Sequence, residues 1–289
     1  MKEFFKYHIT KQARKFLLKI QIVYLKMFPI KNQHLKKIVK INRDTLNNEE
    51  IFLTQDEYFG NNYGIPNYIF KNINSQIDNK FVTYSDLINY LIEIFFKRKL
   101  NYLEIGTSVM KNFYQISNYA TDSNIVAYDI NDIPKKFNSK YEQKDIFLRS
   151  IQNTNNLYYF KGNVLSKSDG YKFKESLNFK FDFIFSDALH TYEGVMNEYQ
   201  NVIKGSLNNN FILYFDDLNF IGLKKAFNEI AIDLKLSNEQ IVLSKFWIYG
   251  WVGQYETLHK NGFITNFSKK QVTDVFDSLN LPFLKISEI

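Results

Sequence analysis

Five short apolar runs, 101–105 (NYLEI), 124–129 (NIVAYD), 157–161 (LYYFK), 181–186 (FDFIFS) and 210–215 (NFILYF), constrain this chain more than anything else in it. Each has the length of a strand and is apolar almost throughout, so it must be covered on both faces. The stretches 109–119, 142–152, 191–204 and 219–235 between them read as helices, long enough for the crossovers that parallel neighbours require. Strand and helix in alternation predict a doubly wound α/β domain around a parallel sheet. The tail departs from this rhythm. Residues 242–252 (VLSKFWIYGWV) and 262–267 (GFITNF) are strand-like and flank Lys260-Asn261-Gly262, whose Asn-Gly pair predicts a reverse turn and hence an antiparallel edge.

The domain so outlined covers 81–289 and opens with a helix over 83–98, capped by Thr or Ser, with Leu87, Leu91, Ile94 and Phe95 on one face. Residues 1–80 are a different kind of sequence, a basic helical extension. Within it, 3–28 mix lysines with Phe, Leu, Ile and Val as far as Pro29, the pattern of an amphipathic helix. Lys11, Arg14, Lys15, Lys19 and Lys26 interrupt any signal-peptide core. Residues 30–80 are polar, carry turn signals at Gly60-Asn61-Asn62 and Gly64-Ile65-Pro66, and read as a lid of irregular structure and short helices.

The formal net charge of +7 is concentrated there: the first 50 residues hold 12 basic and 4 acidic side chains, and the rest of the chain is near balance. A helix of this kind packs its apolar side on the main domain or on a second copy, giving a homo-oligomer, or lies on an anionic membrane surface. Both readings stay open. Of 37 basic residues only Arg14, Arg43, Arg98 and Arg149 are arginines, so the guanidinium forks that read phosphates and guanine edges are nearly missing, which disfavours nucleic acid as a partner. The absence of cysteine excludes thiolate zinc sites and disulfide frameworks. No run approaches the ~18 uncharged apolar residues of a spanning helix, so the expected location is cytoplasmic, or peripheral to a membrane.

In open parallel sheets ligands bind beyond the carboxyl ends of the strands, and that is where this chain places its polar residues. Glu104-Ile105-Gly106-Thr107-Ser108 follows the first strand, with a glycine that lets backbone approach a ligand; a dinucleotide fingerprint would need further glycines. Asp129 ends the second strand, where a carboxylate can accept both hydrogen bonds of a ribose diol. Asn163 follows the third, within reach of an adenine amino group. Asp187 follows the fourth strand and Asp216-Asp217 the fifth. Three unpaired carboxylates at one point repel strongly, and a hard divalent cation such as Mg2+ removes that penalty. The alternative is that these aspartates merely cap the helices that follow. His190, three residues after Asp187, is placed to act as a general base, to contact substrate or to orient the loop. His8, His34 and His259 have no such company and read as ordinary surface or packing residues.

Taken together these blocks resemble the class I S-adenosylmethionine-dependent methyltransferases, and within them the small-molecule and sugar O-methyltransferases that carry a segment like Asp187-Ala188-Leu189-His190-Thr191-Tyr192-Glu193-Gly194. The resemblance covers about 83–267. It implies a seven-stranded Rossmann-like sheet. It also implies S-adenosylmethionine held by Glu104, Gly106, Thr107, Ser108, Asp129, Asn163 and Asp187, and Mg2+ held by Asp187, Asp216 and Asp217. Asp187 and His190 would be the catalytic pair, and the acceptor a hydroxyl of a sugar or other small molecule. Two departures stand out: Val109-Met110-Lys111 replaces a further glycine of the first motif, and Leu189 stands where such enzymes often place an acid. Two other readings remain, an RNA or protein methyltransferase and a non-catalytic module tethered to a membrane or partner through the N-terminus.

Overall fold

The structure is a computed structural model that describes residues 31–48, 82–107, 110–131, 142–144, 147–252, 255–279, 281 and 284–289. The helix expected over 3–28 and most of 30–80 lie outside these residues. Within 30–80 the described residues form helix α1, Gln33–Asn48, in a segment expected to hold irregular structure and short helices.

Helix α2, Tyr84–Phe96, begins at Thr83, whose hydroxyl accepts from the Asp86 N–H while the Asp86 carboxylate accepts from the Thr83 N–H, a reciprocal capping box. Leu87 and Leu91 of its apolar face are buried and Phe95 partly so, whereas Ile94 is exposed. The alternating units follow: β1, Asn101–Ile105; α3, Lys111–Tyr119; β2, Asn124–Asp129; β3, Glu142–Lys144; β4, Phe147–Gln152; β5, Asn155–Lys161; α4, Lys167–Ser176; β6, Phe181–Ser186; α5, Tyr192–Glu198, running on into a wide turn over Tyr199–Ile203; β7, Leu207–Phe215; α6, Ile221–Lys235; β8, Val242–Val252; β9, Tyr255–Thr265; α7, Lys269–Asp277; and β10, Lys285–Glu288.

The sheet order is β10-β8-β9-β7-β6-β1-β2-β5-β4-β3. Strands β7, β6, β1, β2 and β5 are mutually parallel, with β1 central, so the strand order reverses beside it. Successive side chains of a strand point to opposite faces, and both faces are filled. Tyr102 and Phe183 pack with Leu87, Phe113 and Ile116 on one side; Leu103, Val126 and Ile184 pack with Phe173, Val202 and Phe227 on the other. This is the doubly wound, Rossmann-like architecture with antiparallel C-terminal strands.

Three details correct the expectation. The described sheet has ten strands and not seven, because β10 extends one edge and β3 and β4 the other. Residues 142–144 and 147–152 are strands where a helix was expected: β4 pairs antiparallel along β5, whose backbone would otherwise be an open edge. Asn261-Gly262 makes no turn. It lies within β9, which pairs antiparallel with β8 from Val252–Tyr255 through to Val242–Thr265. Gly262 is demanded instead by close approach, since a Cβ there would lie 2.5 Å from the Ser244 carbonyl oxygen and 2.7 Å from Leu218 Cδ1.

Candidate functional site

The parallel ladder continues one step past the strand ends. The N–H of Gly106 donates to the Tyr128 carbonyl at 2.9 Å, that of Asp187 to Ile105 at 2.9 Å, that of Asp216 to Ser186 at 3.3 Å and that of Gly162 to Asp129 at 2.8 Å. The residues following β1, β2, β5, β6 and β7 therefore share one rim. Gly106, Thr107, Asp129, Asn163, Asp187, Asp216 and Asp217 all belong to it or immediately follow it; Ser108 lies outside the described residues.

On the β1 side the glycine serves the protein's own packing. Gly106 has φ +85°, and a Cβ there would lie 2.4 Å from the Asp187 carbonyl oxygen, so its bare backbone lets the loop after β6 pass close by. Glu104 is buried beneath it. One of its carboxylate oxygens accepts from Asn112 Nδ2 at 2.8 Å and from Tyr102 Oη at 3.0 Å, and burial lifts its pKa to about 8. Asn112 was not anticipated, because nothing local in α3 marks it. Asp129 is buried, with Oδ1 accepting from the Asn131 N–H at 2.9 Å and Oδ2 facing Thr107 Oγ1 at 3.4 Å. The Asn163 side-chain oxygen accepts from the Leu165 N–H at 2.9 Å and closes the turn that leads to Ser166 and α4.

The β6–β7 side holds the acidic group, and its carboxylates are not bare. His190 Nε2 lies 3.4 Å from Asp187 Oδ1 and 3.4 Å from Asp217 Oδ2. His259 Nδ1 lies 3.2 Å from Asp216 Oδ1 and 3.1 Å from Asp217 Oδ1. Two imidazoles thus interleave with three aspartates, which corrects the premise of unpaired carboxylates. His259 was expected to be an ordinary surface or packing residue. It is 2% exposed and sits at the floor of the group, brought there because β9 pairs with β7 in reverse and the turn after β7 is clamped on it. In that clamp the Leu218 N–H donates to the Lys260 carbonyl at 2.6 Å and the Lys260 N–H to Asn219 Oδ1 at 3.1 Å. The only signal for His259 is long-range pairing, which no window of sequence carries.

The charges follow from these contacts. Burial raises Asp187 to about 7 against the opposing hydrogen bond from His190, and that same bond raises His190. Burial acts to raise Asp217, but its hydrogen bond from His259 and the two imidazole charges bring it below the ordinary carboxylate value. Burial works against a charged His259, yet Asp216 and Asp217 hold it at about 10. Asp217 adopts a left-handed backbone, φ 53°, a conformation that aspartate tolerates better than most residues with a side chain.

Asp216, Asp217 and His259 each bring one ligand atom to within 4.8 Å of the others; Asp187 is not in that group, and His190 lies between it and Asp217. Two carboxylates balance a divalent charge and an imidazole completes a common donor set, so these residues fit a divalent cation. Above them the His190 ring stacks on Phe220, with centroids 5.6 Å apart and planes at 23°. Phe220 and Ile221 are exposed at this end of α6.

Among the described residues no helix is long and apolar enough to cross a membrane. No family model and no curated protein matches the chain. Solved structures of similar fold include an O-methyltransferase from Bacillus cereus in complex with SAH, at 10% identity and TM-score 0.42, covering 88% of this chain and 100% of that one. Another is the O-methyltransferase TomG from Streptomyces achromogenes in complex with SAM, at 9% identity and TM-score 0.42, covering 87% and 98%. A third is the MycE methyltransferase with Mg, SAH and mycinamycin VI, at 12% identity and TM-score 0.34, covering 62% and 45%.

Proposed function

We propose that this chain is an S-adenosylmethionine-dependent O-methyltransferase acting on a hydroxyl of a sugar or another small hydroxylated compound. The observation that carries the reading is the shared rim, with Gly106 and Asp129 at the switch in strand order and Asp187, His190, Asp216 and Asp217 one strand further on. Asp129 would accept from the ribose hydroxyls, and Glu104, Gly106, Thr107, Ser108, Asn163 and Asp187 would frame the rest of the cofactor. When bound, the cofactor supplies a methyl group already made electrophilic by its sulfonium.

The protein then has to hold an acceptor oxygen in line and take its proton. His190 would receive that proton: it is partly exposed, its Nε2 lies 3.4 Å from both Asp187 Oδ1 and Asp217 Oδ2, and its ring stacks on Phe220. Asp187 orients the imidazole. A divalent cation would be held by Asp216 and Asp217, and would polarise the acceptor hydroxyl. An all-oxygen Mg2+ set would add Asp187, which lies outside the group formed by Asp216, Asp217 and His259.

Calorimetry with S-adenosylhomocysteine tests the reading. Micromolar affinity, weakened at least tenfold by Asp129→Ala, is expected; no heat at millimolar ligand refutes it and leaves the non-catalytic module. The first 50 residues keep peripheral membrane contact as part of the proposal, because their charge is suited to an anionic surface.

A further inference from the structure

We propose that His259 is itself a metal ligand, so that this site takes a divalent first-row transition-metal ion such as Mn2+, Fe2+, Co2+ or Zn2+ in preference to Mg2+. The inference deepens the reading above and rests on the same crevice, but it is carried by its own geometry. Ligands held about 2.0–2.2 Å from an ion at tetrahedral to octahedral angles have their donor atoms roughly 3.0–3.5 Å apart. His259 Nδ1 stands 3.2 Å from Asp216 Oδ1 and 3.1 Å from Asp217 Oδ1. Both separations fall in that interval.

The three side chains are also fixed before any ion arrives. Asp216 is 4% exposed and His259 2% exposed, and Asp217 is held by its left-handed turn. The clamp of Leu218 and Lys260 ties the aspartate-bearing turn to the histidine-bearing strand. No lysine or arginine side chain is paired with Asp216 or Asp217 among the described residues. Two carboxylates cancel a divalent charge, and the neutral imidazole adds no more, so a buried ion would leave the floor of the site without net charge. Ligation requires Nδ1 to be free of its proton, which leaves to solvent as the ion enters.

Nitrogen in the donor set is what decides the metal. Imidazole suits Fe2+, Co2+ and Zn2+, with Mn2+ the weakest of the first-row series at such a site, whereas Mg2+ holds to oxygen and gives up its waters reluctantly. On this reading Asp187 is not a ligand. It stays with His190, leaving the imidazole of His190 available to the acceptor.

The test uses the full chain stripped with chelator and then titrated separately with Mn2+, Zn2+ and Mg2+ by calorimetry, followed by pulsed electron paramagnetic resonance of the Mn2+-loaded protein. One bound Mn2+, at least tenfold tighter than Mg2+ and showing coupling to a 14N nucleus, is the expected result. Equal affinity for Mg2+, absence of 14N coupling, or no binding of Mn2+ and Zn2+ at millimolar concentration would each overturn it. His259→Asp should still bind Mn2+, lose the 14N coupling and narrow the preference over Mg2+. If that variant does not fold, His190→Gln decides, since 14N coupling retained without the other imidazole beside Asp217 comes from His259 and its loss overturns the assignment. S-adenosylhomocysteine binding is measured on the same sample: binding without metal uptake removes this inference and leaves the transferase, and the reverse result removes the transferase and leaves the metal site.

Discussion

Replacing Arg43 by Met should destabilise the protein by about 3 kcal/mol, through a buried ion pair that ties α1 to α2. Arg43 reaches Asp86 with two nitrogens, Nη2 to Oδ2 at 2.8 Å and Nη1 to Oδ1 at 3.2 Å, and the two residues are 5% and 0% exposed. Removing one partner of such a pair costs about 3–5 kcal/mol, because the other charge remains buried. The lower end applies here. Asp86 would keep Asn42 Nδ2 at 2.8 Å, the Thr83 N–H at 2.8 Å and Thr83 Oγ1 at 2.9 Å, three donors that partly solvate the carboxylate. Met also restores much of the apolar volume of the arginine stem. For a chain of this size the loss corresponds to a drop in Tm of roughly 6 °C.

The assay is urea unfolding followed by far-ultraviolet circular dichroism, with the slope checked for constancy across variants. Asp86→Asn leaves a guanidinium buried and should cost about as much. The double variant Arg43→Met with Asp86→Asn should cost less than the sum by about 2 kcal/mol, since neither charge is then left alone. A loss under about 1 kcal/mol for Arg43→Met, or strict additivity of the two changes, refutes the docking of α1 through this pair.

Two further outcomes follow from the rim. Gly106→Ala forces a methyl group to within 2.4 Å of the Asp187 carbonyl oxygen at a φ of +85°, and should cost about 3 kcal/mol or more in the same assay while weakening S-adenosylhomocysteine; unchanged stability would contradict the close passage of the two loops. Glu104 has a folded pKa of about 8 against an ordinary 4.5, so its contribution is fully present below pH 4.5 and is lost as pH rises through 8. Glu104→Gln keeps the shape and the acceptor for Asn112 and Tyr102. The variant should therefore gain on the unmodified protein steadily between pH 5 and 8.5, and parallel pH profiles would show that Glu104 is ionised in the native state.

The alternation of apolar strands with helices was legible because each strand of a parallel sheet is buried on both faces and announces itself as a short apolar run. For the same reason the rim could be read directly: Asp129 closes one such run, Asp187 and Asp216 directly follow two others, and parallel strands end at one level. The edges were less legible. FLRSIQ at 147–152 fits either a helix or a strand, and only the open edge of β5 made it a strand. Asn261-Gly262 has the composition of a turn, but the glycine answers to the Ser244 backbone on the neighbouring strand.

What the sequence determined by itself is the class of fold and the chemistry offered at the strand ends, since both depend on residues adjacent in the chain. The company those residues keep was decided by tertiary structure alone. His259 meets Asp216 and Asp217 across more than 40 positions because β9 runs back along β7, and Arg43 finds Asp86 because α1 lies on α2. Charges so far apart in sequence are brought to hydrogen-bonding distance by the packing of the elements that carry them, and their energetics exist only once that packing is complete.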